Sequence, residues 1–230
     1  MILANGCSFT RYKTSWVYQL GIPQYEIINL AQSGAGNGYI CDTTISELSA
    51  NTYDYVLVMW SGIARYDLQI TGESIKAIDT NYSSLAQSKI NDWPNKAIEP
   101  VNDQDLVQKN WLFSGGQLNN DPNILSSKIF EPIYRNCDLE NFTQYSLIKM
   151  ISLQSYLKAR NIPYIFCFYM DYLYDLQQLP NLFQQLDFDH IETKDNIYSI
   201  AKRNDWFESD GLHPNKLANQ EWGKIVRERL

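Results

Sequence analysis

The sequence predicts an α/β fold: a mostly parallel sheet covered by helices on both faces. Three observations point to it. Short apolar runs alternate with stretches of helical periodicity along most of the chain. The third run, YVLVMW at residues 55–60, is apolar almost without interruption, as a strand covered on both faces should be. Residues able to do chemistry follow the ends of the runs, at the edge where an open parallel sheet binds its ligands.

The first run, residues 1–4, ends in the turn pair Asn5-Gly6 and leads through Ser8 to residues 12–20, where Tyr12, Trp16 and Leu20 recur at helical spacing. Strand, tight turn and helix follow, with Ser8 at the ligand-binding edge just before a helix N-terminus, where free N–H groups attract anions. Ser8 is a candidate nucleophile, and equally a candidate N-cap. Its neighbour Cys7 is a rival nucleophile by intrinsic reactivity, although adjacent residues usually point in different directions.

After the punctuation of Gly21-Ile22-Pro23, a second strand is expected at residues 25–31, carried by Ile27, Ile28 and Leu30. The loop at 32–38 holds Gly34, Gly36 and Gly38. It either brings backbone N–H groups close to a ligand or is a plain turn; its spacing and place exclude a G-x-G-x-x-G nucleotide loop. Residues 40–48 read as a helix with Ile45 and Leu48 inward. Behind the third strand stands SGIARYD, residues 61–67, in which Arg65 either turns toward the site or pairs with Asp67 on the surface.

Residues 69–141 change character, with dense Asn, Gln, Ser and Asp and weak periodicity. So long a stretch is read as an insertion with short helices of its own, packed over the functional edge. Its aromatic residues Tyr82, Trp93, Trp111, Phe113 and Tyr134 either stack on sugar rings or pack the insertion onto the body.

Regular structure resumes with a helix at 141–160, in which Tyr145, Ile148, Ile151, Tyr156 and Leu157 recur, and a fourth strand at 164–170. Asp171 then stands at the functional edge as a substrate ligand, a second acid or a helix cap. Residues 173–200 read as helical in pieces, with His190, between Asp187 and Asp189, on the solvated surface. Trp206-Phe207 suggests a short last strand.

It positions Asp210-Gly211-Leu212-His213-Pro214, which precedes an amphipathic helix at 215–230 with Leu217, Ile225 and Val226 in one stripe, Trp222 beside it and Pro214 in its first turn. The chain has two histidines, and of these only His213 carries a nearby carboxylate in such a turn. Asp210 can fold back to accept the His213 ring N–H, leaving the other nitrogen free to take a proton from a serine.

Gly6-Cys7-Ser8-Phe9-Thr10 at one end and Asp210-Gly211-Leu212-His213-Pro214 at the other resemble the first and last blocks of the SGNH (GDSL-like) hydrolases. The resemblance implies a flavodoxin-like three-layer α/β/α fold with a mostly parallel central sheet, here with an inserted region after the third strand. It implies acyl transfer or hydrolysis on small esters, lipids or acetylated carbohydrate, with Ser8 as nucleophile, His213 as base and Asp210 orienting it. The loop at 32–38 matches the second block, so the oxyanion would be held by the N–H of Gly34, with Asn37 as a side-chain donor. The third block departs from the family: no asparagine follows the strand, and Ser61 or Arg65 would have to stand in.

The 230 residues suit one domain, residues 1–230, and the 44% hydrophobic and 20% charged content is that of a globular chain. A formal charge of -7 opposes a phosphate-tracking surface, so no nucleic-acid partner is expected. Cys7, Cys41, Cys137 and Cys167 show no zinc spacing, and Cys167 in its apolar run reads as core. No metal or cofactor is expected. The start resembles no signal peptide and no run is long enough for a membrane span, so a cytoplasmic protein acting on a small-molecule or glycan ester is expected. The alternatives are a catalytically weak SGNH-like domain serving as a glycan-binding or structural module, and a flavodoxin-like nucleotide or flavin binder.

Overall fold

The computed structural model describes residues 1–69, 111–113, 130 and 133–230. Its centre is a four-stranded parallel sheet of β1 (Ile2–Asn5), β2 (Ile27–Asn29), β3 (Tyr55–Trp60) and β6 (Tyr164–Phe168), in the order β2-β1-β3-β6. Registers are set by pairs such as Ala4 with Asn29, Asn5 with Val58 and Trp60 with Phe168. A parallel bridge from Phe166 to Ile191 extends the β6 edge.

Alternation along the strands divides the core into two layers. Leu3, Val56, Val58, Trp60, Phe166 and Phe168 face one side, against α2 (Asn37–Ala50) and α3 (Leu139–Ala159). Ile2, Ala4, Leu57, Met59, Ile165 and Cys167 face the other, against Trp16, Val17 and Leu20 and the helices α4 (Ile197–Asn204) and α5 (Lys216–Arg227). The result is the three-layer α/β/α arrangement expected, and Cys167 is a core residue within it.

Several elements differ from their sequence expectations for identifiable reasons. The helix expected at 12–20 is instead α1 (Ser8–Arg11) followed by a short 3-10 turn at Trp16–Gln19. The Thr10 carbonyl accepts from Ser15 Oγ at 2.7 Å and Asn29 Nδ2 at 2.7 Å, so side chains take the bond that would continue the helix, and Tyr12 is left exposed. α3 starts two residues early because Asp138 and Asn141 form a reciprocal cap, and its buried face runs through Leu147, Met150, Leu153 and Leu157, with Ile148 exposed.

The last helix starts at Lys216, since Asn215 caps the N–H groups of Leu217 and Ala218 and leaves Pro214 outside. It buries Ala218, Trp222 and Val226 rather than Leu217. Trp206-Phe207 adds no strand to the sheet; Phe207 makes a single antiparallel bridge with Pro214.

Of the insertion, two short strands are described, β4 (Asp67–Gln69) and β5 (Trp111–Phe113), which pair antiparallel. Trp111 and Phe113 are buried edge-on against Tyr39, at ring centroid distances of 5.6 and 5.1 Å, and the Tyr134 hydroxyl donates to the Ala64 carbonyl. These three pack the insertion onto the body. Tyr82 and Trp93 lie outside the described residues.

Candidate active site

The site sits at the carboxyl edge of the sheet, where β1 runs into α1. Asn5, the last residue of β1, is buried and fixes the turn. Its Nδ2 donates to the Ile40 carbonyl at 3.1 Å and to Thr43 Oγ1 and Thr44 Oγ1 at 2.9 Å, while its Oδ1 accepts the Gly6 N–H at 2.8 Å. Gly6 is required there: a Cβ would stand 2.5 Å from Thr10 Oγ1 and 3.0 Å from the Met59 carbonyl. Ser8 is delivered on the first turn of α1.

Cys7, not Ser8, is the N-cap of α1, and its side chain makes no capping bond. The Ser8 hydroxyl is directed elsewhere, lying 3.0 Å from His213 Nε2. On the other side of the ring, His213 Nδ1 is 2.6 Å from Asp210 Oδ2, and Asp210 Oδ1 accepts the N–H of Leu212 at 2.8 Å and of His213 at 2.9 Å. Partial burial would raise the Asp210 carboxyl, but those N–H groups and the imidazole outweigh it and hold it below the usual carboxylate range. The loop is closed at its base by the Glu208 N–H donating to the His213 carbonyl at 2.7 Å and the Asn215 N–H to the Trp206 carbonyl at 2.9 Å. Gly211 takes a positive φ of 67° at its tip.

Sequence reasoning missed the wall beside this array. The Phe9 ring lies 5.3 Å from His213 and 4.5 Å from Tyr169, whose hydroxyl accepts from Tyr172 at 2.6 Å. Phe9 sits inside the motif that flagged Ser8, and Tyr169 follows the end of β6; that strand-end position was the available signal.

The remaining residues of the site come from the loops after β2 and β3. Gly34 has a positive φ of 81° and stands in the turn ahead of α2. Asn37 is turned away from the site: it is buried, its Nδ2 donates to Ser146 Oγ at 3.0 Å, and its Oδ1 accepts the Ser61 N–H at 2.8 Å. The expected side-chain donor is thus a tie between α2, α3 and the β3 loop. Ser61 is buried too, with Oγ accepting from Arg65 Nη1 at 2.9 Å.

Arg65 makes no ion pair with Asp67 among the described residues. It turns inward, donating from Nη1 to Ser61 Oγ and to the Ala35 carbonyl at 3.4 Å, with its guanidinium 5.9 Å above the Tyr169 ring. Asp67 is buried under the start of α2, where it accepts the Gly36 and Tyr39 N–H groups at 2.9 Å. Burial pushes its carboxyl up to about 7 against the pull of those N–H groups and of Arg65.

Other candidates lie apart from this array. Cys7 is buried with Arg65 beside it, while Ser8 takes the histidine. Asp171 Oδ1 accepts the Leu173 N–H at 3.0 Å, a local turn at the start of the helix Leu173–Gln177. His190 is more than a solvated residue: it lies 3.0 Å from Asp187 and stacks on Tyr164, at the first residue of β6 and so at the opposite end of that strand. Among the described residues no group of three or more His, Cys, Asp or Glu could hold a metal ion, and no helix is long and apolar enough to cross a membrane.

No family model and no curated protein matches the sequence. Solved structures do. The chain is similar to the psychrotrophic esterase EstA from a Pseudoalteromonas species, inhibited by monoethylphosphonate, at 15% identity and a TM-score of 0.48 over 99% of this chain and 92% of that one. It is also similar to a member of the lipolytic G-D-S-L family from Veillonella parvula, at 9% identity and a TM-score of 0.43 over 98% and 96% of the two chains.

Proposed function

We propose that the protein is a serine esterase of the SGNH type, acting on small acyl esters through Ser8, His213 and Asp210. The observation that carries this reading is the unbroken line of contacts from Asp210 Oδ2 to His213 Nδ1 at 2.6 Å and from His213 Nε2 to Ser8 Oγ at 3.0 Å. A carboxylate on one ring nitrogen fixes the tautomer in which the other can accept the serine proton. As Ser8 Oγ attacks the ester carbonyl, His213 takes its proton and then returns it to the departing alcohol oxygen. Water, deprotonated by the same imidazole, attacks the acyl carbonyl, and the imidazolium returns the proton to Ser8 Oγ as the bond to the acyl group breaks. The backbone N–H groups of Ser8 and Gly34 receive the negative oxygen. An O-acetyl group on carbohydrate is the natural substrate class proposed, with the Phe9 and Tyr169 rings offering a surface for the alcohol.

The test is hydrolysis of p-nitrophenyl acetate and butyrate, together with labelling by a serine-reactive phosphonate. Wild type should turn over and be labelled at Ser8, while folded Ser8→Ala and His213→Ala variants should not turn over. Wild type that is folded, inert and unlabelled would sink the reading and favour a binding module.

A further inference from the structure

The loop after β3 contains no asparagine, and both residues with neutral side chains that could replace one, Ser61 and Asn37, are fully buried. The Ser61 backbone N–H donates to Asn37 Oδ1 and the Ser61 Oγ accepts from Arg65, while Asn37 Nδ2 donates to Ser146 Oγ. The remaining polar group is the Arg65 guanidinium, which gathers all three loops of the site. It bonds Ser61 of the β3 loop and Ala35, next to Gly34, of the β2 loop, and has Cys7, next to Ser8, beside it. We propose that Arg65 is a catalytic residue, its guanidinium donating to the oxygen that becomes negative when Ser8 attacks the ester.

Three features support this assignment, which rests on the esterase reading above. First, both of its oxygen acceptors are bonded through Nη1, so Nη2 and Nε face no oxygen acceptor among the described residues. Second, Arg65 is half-buried and both oxygen acceptors are neutral, leaving a partly desolvated cation without an anion in contact among the described residues. Burial works against the charged form, but a guanidinium does not give up its proton at working pH, so Arg65 remains a cation beside Cys7, Tyr169 and Tyr172. Third, the group is held in place before substrate arrives: Tyr169 lies under it, and Phe9, the residue after Ser8, packs on Tyr169. Gly62 makes room, since a Cβ there would stand 3.2 Å from the Tyr172 hydroxyl and 3.5 Å from that of Tyr169. A charged donor gives a bond roughly twice as strong as a neutral amide, so it can replace the absent asparagine.

The test compares wild type with Arg65→Met and Arg65→Ala on p-nitrophenyl acetate, with and without millimolar guanidinium chloride. Arg65→Met should lower kcat by about 10²- to 10³-fold with little change in KM. Arg65→Ala should recover part of its rate with added guanidinium, saturably, which a purely structural tie would not do. An active wild type whose Arg65→Met variant keeps its kcat overturns the assignment and leaves the esterase reading intact. So does an Arg65→Ala variant that guanidinium fails to rescue at an unchanged circular dichroism spectrum. Wild type that neither hydrolyses the ester nor takes the phosphonate overturns both.

Discussion

Asp210 grips His213 at two points: one carboxylate oxygen holds the backbone N–H at 2.9 Å and the other the ring Nδ1 at 2.6 Å. Position and tautomer of the His213 ring, the proposed base, are therefore set by one side chain. Asp210→Asn keeps an acceptor for the backbone but loses the charge that favours the imidazolium, and kcat on p-nitrophenyl acetate should drop by about 10³- to 10⁴-fold at unchanged melting temperature. A loss below about tenfold would show that His213 is oriented by the loop alone.

Asn37 predicts a different signature. Removing its side chain strands the buried Ser61 N–H and takes a partner from Ser146, so Asn37→Ala should cost about 1–3 kcal/mol, read as a melting temperature lower by several degrees. Because Ser61 is the Arg65 acceptor, kcat should fall as well. A variant as stable as wild type contradicts the tie.

Gly36 separates two loops by little more than a hydrogen atom. A Cβ there would meet the Arg65 carbonyl at 2.9 Å and Asp67 Oδ2 at 2.9 Å, so Gly36→Ala must push the β2 and β3 loops apart. Both melting temperature and kcat should fall, and a rate within about twofold of wild type would refute it.

Asp67 makes stability depend on pH. Its carboxyl is raised from 3.8 to about 7, chiefly by burial, so the folded protein holds this proton more tightly than the unfolded chain does. The contribution is complete below the unfolded value and is lost as pH rises toward 7. Thermal unfolding of wild type and Asp67→Asn across that window should show wild type losing ground to the variant as pH rises. Parallel curves would show that the carboxyl titrates normally.

The alternating apolar runs disclosed the sheet because covered parallel strands must be apolar on both faces, and β3 was legible to the residue. Residues 12–20 were not, because the Ser15 and Asn29 side chains together occupy the Thr10 carbonyl, and Asn29 reaches it from the next strand, beyond any local pattern. The juxtaposition of Ser8, His213 and Asp210 was anticipated from two short blocks. The tasks of Asn37 and Asp67 were hidden, since an amide or carboxylate in a loop reads alike whether it faces a ligand or caps a neighbouring helix.

Ser8 and His213 touch across 205 positions of chain. During synthesis the hydroxyl emerges 205 positions ahead of its proposed base, so on that reading a growing polypeptide carries an unactivated serine until the segment bearing residue 213 has left the ribosome and docked. On the proposed mechanism, reactivity toward esters is a property of the finished fold, and a chain cut short before that loop would be silent toward the phosphonate, however well its sheet had formed.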